Sequence, residues 1–327
     1  ETNGALGTLT VNAGGDTSTG NITFAATSTA VTGNVGTSTV AGAAVLAIGN
    51  TTTHTLALNG EDYHTTGAQT FTADRFTLAG AAPDFDSTNA NISFAHGDEA
   101  DIVMAAGTAL NIDTDSVGGN IDIEPQIKGT TGGSAGSVTL DAGTGNIILD
   151  NPGGEVIGTG IGNITLTGTT ITVGEDINSD QSGAIDINGA FVLAKSGGTI
   201  EVSTATGGGG NIDFNSTINA TATGGSEENL TIINGTGTVG IGGIIGGTKP
   251  LGNLNIAASA STDTGAVTIK QIGADASTAG ANAVTIGHTG KGLGSITFSG
   301  PVYTSDGAQT FIADGYSMTG TNPAFTT

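Results

Sequence analysis

The sequence predicts an all-β fold and, within that class, a parallel β-helix (β-solenoid) that is uncapped at both ends. Three observations lead to this prediction. Glycine fills 58 of the 327 positions, against a usual share of roughly 7%. Short segments alternate apolar with polar residues, which is the period of a half-buried strand. No longer stretch keeps the i, i+3, i+4, i+7 apolar spacing of an amphipathic helix without a glycine or a β-branched run.

The alternating segments share one pattern, in which Gly-Asn, Gly-Ser or Gly-Thr precedes a short run. Residues 119–123 (Gly-Asn-Ile-Asp-Ile) and 162–166 (Gly-Asn-Ile-Thr-Leu) are two examples. One face of each run carries Ile, Val, Leu or Phe, and the other carries Thr, Asp, Asn or Glu, as in a sheet with a dry side and a wet side. We expect more than about twenty such strands, each about three to six residues long.

Two other architectures are built from short strands. Propeller blades repeat about every 40 to 50 residues with aromatic signatures, whereas this chain has no tryptophan and only 4% aromatic residues. A sandwich needs larger core residues and longer connections. A parallel β-helix has a narrow interior of stacked Ile, Val, Leu and Ala, with glycine at the corners. Coils of about 20 to 25 residues would give roughly 13 to 16 coils.

The sequence also contains an internal repeat that is much longer than a single strand. We expect a single β-solenoid over residues 1–327, in which residues 1–87 and 246–327 are copies of one internal repeat. Identical residues recur at an offset of 240 positions: Tyr63, the run 67–71 (Gly-Ala-Gln-Thr-Phe), Pro83 and Phe85 match Tyr303, the run 307–311, Pro323 and Phe325. Such spaced identities indicate duplication within an array of coils.

We expect both ends of the solenoid to consist of ordinary repeat sequence, without a capping segment. An uncapped solenoid end exposes backbone N–H and C=O groups and an open apolar core. We therefore expect the chain either to be a segment of a longer protein or to stack head to tail on other copies of itself. Head-to-tail contacts that do not close produce filaments.

Charge and composition exclude several classes of partner. The chain has 29 acidic and 6 basic residues, a net charge of -23, which argues against nucleic acids and anionic membranes, because both require basic patches. The longest small-apolar stretch, residues 40–48, is far shorter than the roughly 20 residues of a membrane span. With no cysteine, disulfides and thiolate metal sites are excluded.

Segments 162–166, 235–239 (Gly-Thr-Gly-Thr-Val) and 250–256 (Pro-Leu-Gly-Asn-Leu-Asn-Ile) resemble the repeat regions of large bacterial surface proteins of the filamentous-haemagglutinin and autotransporter-adhesin type. The resemblance extends along nearly the whole chain in composition and rhythm. It implies an exported β-solenoid that forms stalks, fibres or adhesive surfaces. The expected function is that of an extracellular or cell-surface structural protein, a segment or subunit of a surface fibre, sheath or adhesive stalk that assembles end to end, and not an enzyme.

Carboxylates at positions i and i+2 are the candidate chemical groups, because on a strand they share a face about 7 Å apart. The densest group is Asp113, Asp115, Asp122 and Glu124. These four are the candidate ligands of a divalent cation, with calcium as the cation considered and a solvated acidic face as the simpler interpretation. We expect no other cofactor.

The alternative function is a carbohydrate-binding or carbohydrate-cleaving β-helix. Cleavage by grouped acids needs Arg or Lys to stabilise developing negative charge, but the 6 basic residues are scattered along the chain. Sugar binding needs aromatic platforms, for which Tyr63, Phe76, Tyr303 and Tyr316 are the candidates, with packing in the core as their first role. Candidate partners are thus other copies of the chain, surface glycans and divalent cations.

Overall fold

The computed structural model describes residues 21–24, 28–31, 34–37, 40–50, 53–95, 101–115, 118–130, 136–151, 154–204, 209–257, 265–288 and 293–327. Within these ranges the secondary structure consists of 33 β-strands without a helix. The same ranges accordingly contain no helical segment that could cross a membrane.

The earlier strands are short and closely spaced along the chain. They are β1 (Asn21–Phe24), β2 (Ser28–Val31), β3 (Gly36–Thr37), β4 (Val40–Ala41), β5 (Val45–Gly49), β6 (Thr55–Leu58), β7 (Asp62–Thr65), β8 (Gln69–Thr72), β9 (Arg75–Leu78), β10 (Asp84–Ser87), β11 (Ile92–Ala95), β12 (Asp101–Met104), β13 (Ala109–Asp113), β14 (Ile121–Ile123), β15 (Gln126–Gly129), β16 (Gly136–Asp141) and β17 (Asn146–Leu149).

The later strands include the longest ones. They are β18 (Ile161–Val173), β19 (Ile177–Ser179), β20 (Ile185–Leu193), β21 (Thr199–Thr204), β22 (Ile212–Phe214), β23 (Ile218–Ala220), β24 (Asn229–Ile233), β25 (Val239–Ile245), β26 (Leu251–Ala257), β27 (Val267–Ile272), β28 (Ala281–Ile286), β29 (Ile296–Phe298), β30 (Val302–Thr304), β31 (Gln309–Phe311), β32 (Tyr316–Met318) and β33 (Ala324–Thr326).

The chain divides into two compact units. The first covers the described residues of Glu1–Ile161 together with Thr167–Thr169, and the second covers those of Gly162–Leu166 and Thr170–Thr327. In each unit parallel strands stack on their counterparts in the next coil; in the first, for example, one sheet runs β2-β6-β9-β12-β15. The described residues form about ten turns. The predicted fold class, an all-β parallel solenoid built from repeated coils, is confirmed.

From β7 to β15 each coil contributes three strands, and side chains at equivalent positions stack along the coils. Strands β7, β8 and β9 pair with β10, β11 and β12, and β10 then pairs with β13. The burial pattern alternates along these strands, as in β10, where Phe85 is buried and its neighbours are partly exposed. The alternation read from the sequence therefore corresponds to a core face and an outer face.

The coils are longer than the sequence analysis predicted. Leu56 pairs with Phe76, 20 residues later, but Ile92 pairs with Ile121, 29 residues later. The expectation of 13 to 16 coils is therefore wrong. The additional residues lie in the connections between strands, for example between β23 and β24. In that connection the buried Glu228 carboxylate accepts hydrogen bonds from the backbone N–H groups of Thr221 and Ala222, both at 3.1 Å.

Aromatic rings fill part of the core of the first unit. The rings of Tyr63 and Phe85 are stacked with centroids 4.6 Å apart, and those of Phe71 and Phe94 with centroids 4.7 Å apart. Phe76 meets Phe94 edge-on at 5.4 Å. All five side chains are fully buried, so they stabilise this region both by area and by ring geometry.

The same contacts occur in the second unit at positions 240 residues later. The rings of Tyr303 and Phe325 stack at 4.9 Å. The Gly300 N–H donates to the Tyr303 hydroxyl at 2.9 Å, as the Gly60 N–H donates to the Tyr63 hydroxyl at 2.8 Å. Residues that match in sequence therefore make matching contacts, while the duplication itself stays a prediction from the sequence.

The coil corners explain the Gly-Asn motif. The side-chain oxygen of Asn91 accepts a hydrogen bond from the Asn120 N–H, and that of Asn120 accepts one from the Asn146 N–H, both at 2.9 Å. The preceding Gly145 packs so closely on the coil below that a Cβ there would lie 1.9 Å from the Gly119 carbonyl oxygen. Glycine allows the coils to approach at the corner, and asparagine satisfies the backbone there.

Candidate functional site: an apolar face and an acidic ladder

The last three strands of the second unit expose side chains of the kind that is otherwise buried. Tyr316, Met318 and Phe325 are 54%, 59% and 38% exposed. With the partly buried Phe311 they form what we call the apolar face. Strands β31, β32 and β33, which carry these residues, pair with β28, β29 and β30.

The first unit shows the same positions in the buried state. Phe71, Phe76, Leu78 and Phe85 correspond to Phe311, Tyr316, Met318 and Phe325 at the offset of 240, and each is at most 1% exposed. They are buried because β11, β12 and β13 pack on β8, β9 and β10. The apolar face is thus a core surface exposed to solvent.

A cavity of about 410 Å³ opens on the apolar face. Phe298, Gln309 and Thr327 line it together with the four residues of the face. The Gln309 side-chain N–H group donates to the backbone oxygens of Tyr303 and Thr326 at 2.9 and 2.8 Å, and its side-chain oxygen is buried without a hydrogen-bond partner. Gln69 has the same arrangement in the first unit, so this unpaired oxygen belongs to the repeat and not to the cavity alone.

The residues predicted as sugar platforms are placed mainly in the core. Tyr63, Phe76 and Tyr303 are fully buried, and Tyr316 alone of the four is exposed. Burial raises the pKa of the Tyr303 hydroxyl, against the opposing effect of the hydrogen bond from the Gly300 N–H. Only Tyr316 is therefore placed to contact a ligand from solution.

A second candidate site is the acidic ladder on the outer face of the first unit, formed by Asp86, Asp113 and Asp141. These residues stand in register on β10, β13 and β16, and His64 continues the row on β7. The His64 Nε2 atom lies 3.5 Å from Asp86 Oδ2, while Asp86 Oδ1 is buried without a hydrogen-bond partner. Carboxylates stacked at strand spacing repel one another.

Burial raises the pKa of Asp86 to about 6, with further raising by Asp115, Asp113 and Asp84 and an opposing effect of His64. Burial also raises the pKa of Asp113, with Asp141 as a contributing negative charge. Asp86 is therefore the member of the ladder that takes up a proton at mildly acidic pH.

The four predicted cation ligands fall into two pairs. The Asp115 N–H donates to Asp113 Oδ1 at 2.7 Å, and Asp115 has a left-handed φ of 59°; both carboxylates act on the Asp86 carboxyl and raise its pKa. Asp122 lies on β14, and its pKa is raised by burial and then by Glu124 and Asp150. No group of three or more His, Asp or Glu residues in the described part of the chain is arranged to hold a metal ion. A calcium site at these four residues stays a prediction, which calorimetric titration would test.

Sequence reasoning named single members of both sites, Asp113 and Tyr316, but it did not bring their neighbours together, for a physical reason. The ladder joins residues 27 and 28 positions apart, and these distances follow only from the actual coil lengths. The apolar face could have been found from the repeat, because Tyr316, Met318 and Phe325 match Phe76, Leu78 and Phe85. Glu99 and Asp101 form a further carboxylate pair at positions i and i+2. Glu99 lies outside the described residues, and the Asp101 carboxylate forms an ion pair with Lys128 at 2.5 Å.

Comparison with known proteins gives no relative from which a function could be transferred. No family model, no curated protein and no solved structure matches the chain.

Proposed function

We propose that this chain is an extracellular structural protein, a β-solenoid segment or subunit of a surface fibre, sheath or adhesive stalk that assembles end to end. The observation that carries the proposal is the apolar face. Tyr316, Met318 and Phe325 are exposed, although they occupy positions that are core in the first unit. Contiguous exposed apolar side chains rimmed by polar ones mark interaction surfaces.

A stable end-to-end contact needs both burial of the apolar face and backbone pairing along the last strands. Burying the exposed parts of the four side chains of the apolar face would contribute on the order of 4 kcal/mol, since full burial of one such side chain contributes about 1.5–3 kcal/mol. Association opposes this with its loss of translational and rotational freedom. Backbone pairing along β31, β32 and β33 is therefore needed as well, and a docked strand on each of them supplies it.

The charge of the chain agrees with a role at the surface of a cell. A net charge of -23 opposes sideways aggregation of neighbouring copies. Divalent cations, calcium among them, are candidate bridges between acidic outer faces such as the acidic ladder, and surface glycans are candidate adhesive partners. The resemblance of the sequence to adhesin repeats supports the same proposed function.

Two substitutions on β32 test the proposal. Met318 belongs to the apolar face, whereas the neighbouring Ser317 points to the other side of the same strand. We expect wild-type protein and the Ser317→Asp variant to self-associate with rising concentration in sedimentation velocity. We expect Met318→Asp to weaken association at least about tenfold, equivalent to about 1.4 kcal/mol. Wild-type protein that stays monomeric at every concentration, or equal effects of both substitutions, would contradict end-to-end assembly.

A carbohydrate-binding protein is the second candidate, and the cavity on the apolar face favours it. Exposed aromatic rings beside an amide resemble the platforms on which sugar rings stack. Its lining includes no Asp or Glu, so cleavage at this place is not favoured. Isothermal titration with a panel of oligosaccharides distinguishes the two functions: binding that Tyr316→Ala abolishes and Ser317→Asp preserves would support sugar recognition.

A further inference from the structure

The sequence contains eight Asn-x-Ser/Thr triplets, the acceptor motif for an N-linked sugar. They begin at Asn21, Asn50, Asn91, Asn163, Asn215, Asn219, Asn229 and Asn234. The triplets at Asn21 and Asn50 contain side chains outside the described residues. The structure separates the other six, because sugar transfer needs an exposed amide nitrogen and the folded chain uses these amides in different ways.

Two of these asparagines contribute only their side-chain oxygen to the fold. Asn91 Oδ1 accepts a hydrogen bond from the Asn120 N–H at 2.9 Å, and Asn163 Oδ1 accepts one from the Ala184 N–H at 3.0 Å. Both side chains are exposed, and neither amide nitrogen has a hydrogen-bond partner among the described residues. A sugar on Nδ2 would therefore leave these hydrogen bonds between coils intact.

The hydroxyl residue of each of these two triplets lies on the same side of the chain as its asparagine. The middle residues, Ile92 and Ile164, are fully buried, whereas Ser93 and Thr165 are partly exposed. Side chains alternate between the two faces of a strand, so the asparagine and the hydroxyl residue face outward together. An enzyme that approaches from solution meets both groups of the motif.

Two other triplets have an asparagine that the fold itself requires. Asn234 is fully buried. Asn215 is exposed like Asn91, but its amide group donates to Asp186 Oδ1 and to Asn188 Oδ1, both at 2.7 Å. A sugar on Nδ2 replaces one of the two amide hydrogens, so at Asn215 it would remove a hydrogen bond.

The remaining two triplets each have one motif group engaged in a contact. Thr221, the hydroxyl residue of the Asn219 triplet, donates to the buried Glu228 carboxylate. Asn229 donates an amide N–H to the Gly198 carbonyl oxygen at 3.2 Å. Both groups would have to give up these contacts to meet an enzyme.

We propose that Asn91 and Asn163 are attachment sites for an N-linked sugar on the outer surface of the solenoid. The donor is an activated sugar that carries a diphosphate leaving group. The bond between the anomeric carbon and the phosphate oxygen breaks, a bond from that carbon to Asn Nδ2 forms, and the amide gives up one proton. The inference rests on the proposed function only in that it places the chain at the cell surface, and it does not depend on end-to-end assembly.

Sugar transfer to the folded full-length chain tests the assignment. The probe is UDP-glucose with a soluble N-glycosyltransferase that recognises Asn-x-Ser/Thr, and peptide mass spectrometry measures the rate at each triplet. Synthetic peptides that span the same triplets give the rate outside the fold. Relative to these peptides, we expect Asn91 and Asn163 to react at least about tenfold faster than Asn215 and Asn234.

Matched substitutions in the hydroxyl residues serve as controls. Ser93→Ala and Thr165→Ala should each remove one sugar, because they destroy the motif and keep the asparagine that holds the neighbouring coil. Thr217→Ala, in the Asn215 triplet, should leave the mass of the product unchanged. Equal relative rates at Asn91 and Asn215 would overturn the inference.

Peptide mapping of the chain isolated from the cells that produce it is the second measurement. A sugar at Asn91 and Asn163, with bare Asn215 and Asn234, supports the assignment. Unmodified asparagine at both proposed sites overturns it, whatever the isolated transferase does.

Sedimentation of the same material separates this inference from the proposed function. Monomeric protein that carries sugar at Asn91 and Asn163 would contradict the proposed fibre and leave the attachment sites standing. Self-associating protein without sugar at either position would contradict the attachment sites alone.

Discussion

Single residues at the coil corners set how closely the coils can stack. Gly145 has no room for a Cβ because the Gly119 carbonyl oxygen would lie 1.9 Å away. By contrast, a Cβ on Gly315 would meet its nearest atom at 3.8 Å. The sequence shows both glycines before a strand, and it cannot show that only one of them is in close contact with another coil.

We expect Gly145→Ala to lower the free energy of unfolding by more than about 1 kcal/mol, because the new methyl group forces the coils apart. Gly315→Ala should change it by less than about 0.5 kcal/mol, since the methyl group meets its neighbours at ordinary van der Waals distance. Urea denaturation followed by circular dichroism measures both. Equal effects of the two substitutions would show that the corner packing is looser than described.

Asp86 is the residue with the clearest dependence on pH. Its pKa in the folded state is about 6, above the usual value of roughly 3.9 in an unfolded chain. The folded protein therefore binds the extra proton between about pH 4 and pH 6. The contribution of this carboxyl to stability is full below pH 4 and is lost as the pH rises through 6.

Asp86→Asn should consequently stabilise the protein at pH 7.5 relative to wild type, by about 2 kcal/mol after allowance for solvent screening. The advantage should shrink toward pH 4, where the wild-type carboxyl is protonated. Thermal unfolding across this pH range measures it, with Asp306→Asn as the control that removes an exposed charge. A difference between wild type and Asp86→Asn that stays constant with pH would refute the assignment.

At the scale of elements, alternation of apolar and polar residues was sufficient to predict strands and fold class. In β14, for example, Ile121 and Ile123 are buried and Asp122 is partly exposed. Alternation does not give coil length, because residues in the connections carry no periodic signal. The register that stacks Asp86 on Asp113 was therefore not predictable, nor was the split of Asp113 and Asp115 from Asp122 and Glu124.

Phe85 and Phe325 form a matched pair for measuring the effect of a covering coil. Phe85 is fully buried, whereas Phe325 is 38% exposed. Phe85→Ala should cost about 3–5 kcal/mol of unfolding free energy, and Phe325→Ala about 1–2 kcal/mol in dilute protein. Chemical denaturation measures both, and equal costs would show that Phe325 is already covered in the isolated chain.

At the scale of the molecule, the acidic charge and the exposed core side chains are the two features on which the proposed role depends. The charge was readable from composition, whereas the exposure of Tyr316 and Met318 was found only in the structure. Residues 1–20, which hold the opposite predicted end, lie outside the described residues. End-to-end assembly thus rests on the apolar face.

Electron microscopy of the wild-type chain over a concentration series at neutral pH tests assembly most directly. The account predicts strings of particles joined end to end that lengthen with concentration and that Met318→Asp prevents. Separate particles at every concentration, or side-by-side clusters that Met318→Asp leaves unchanged, would contradict it.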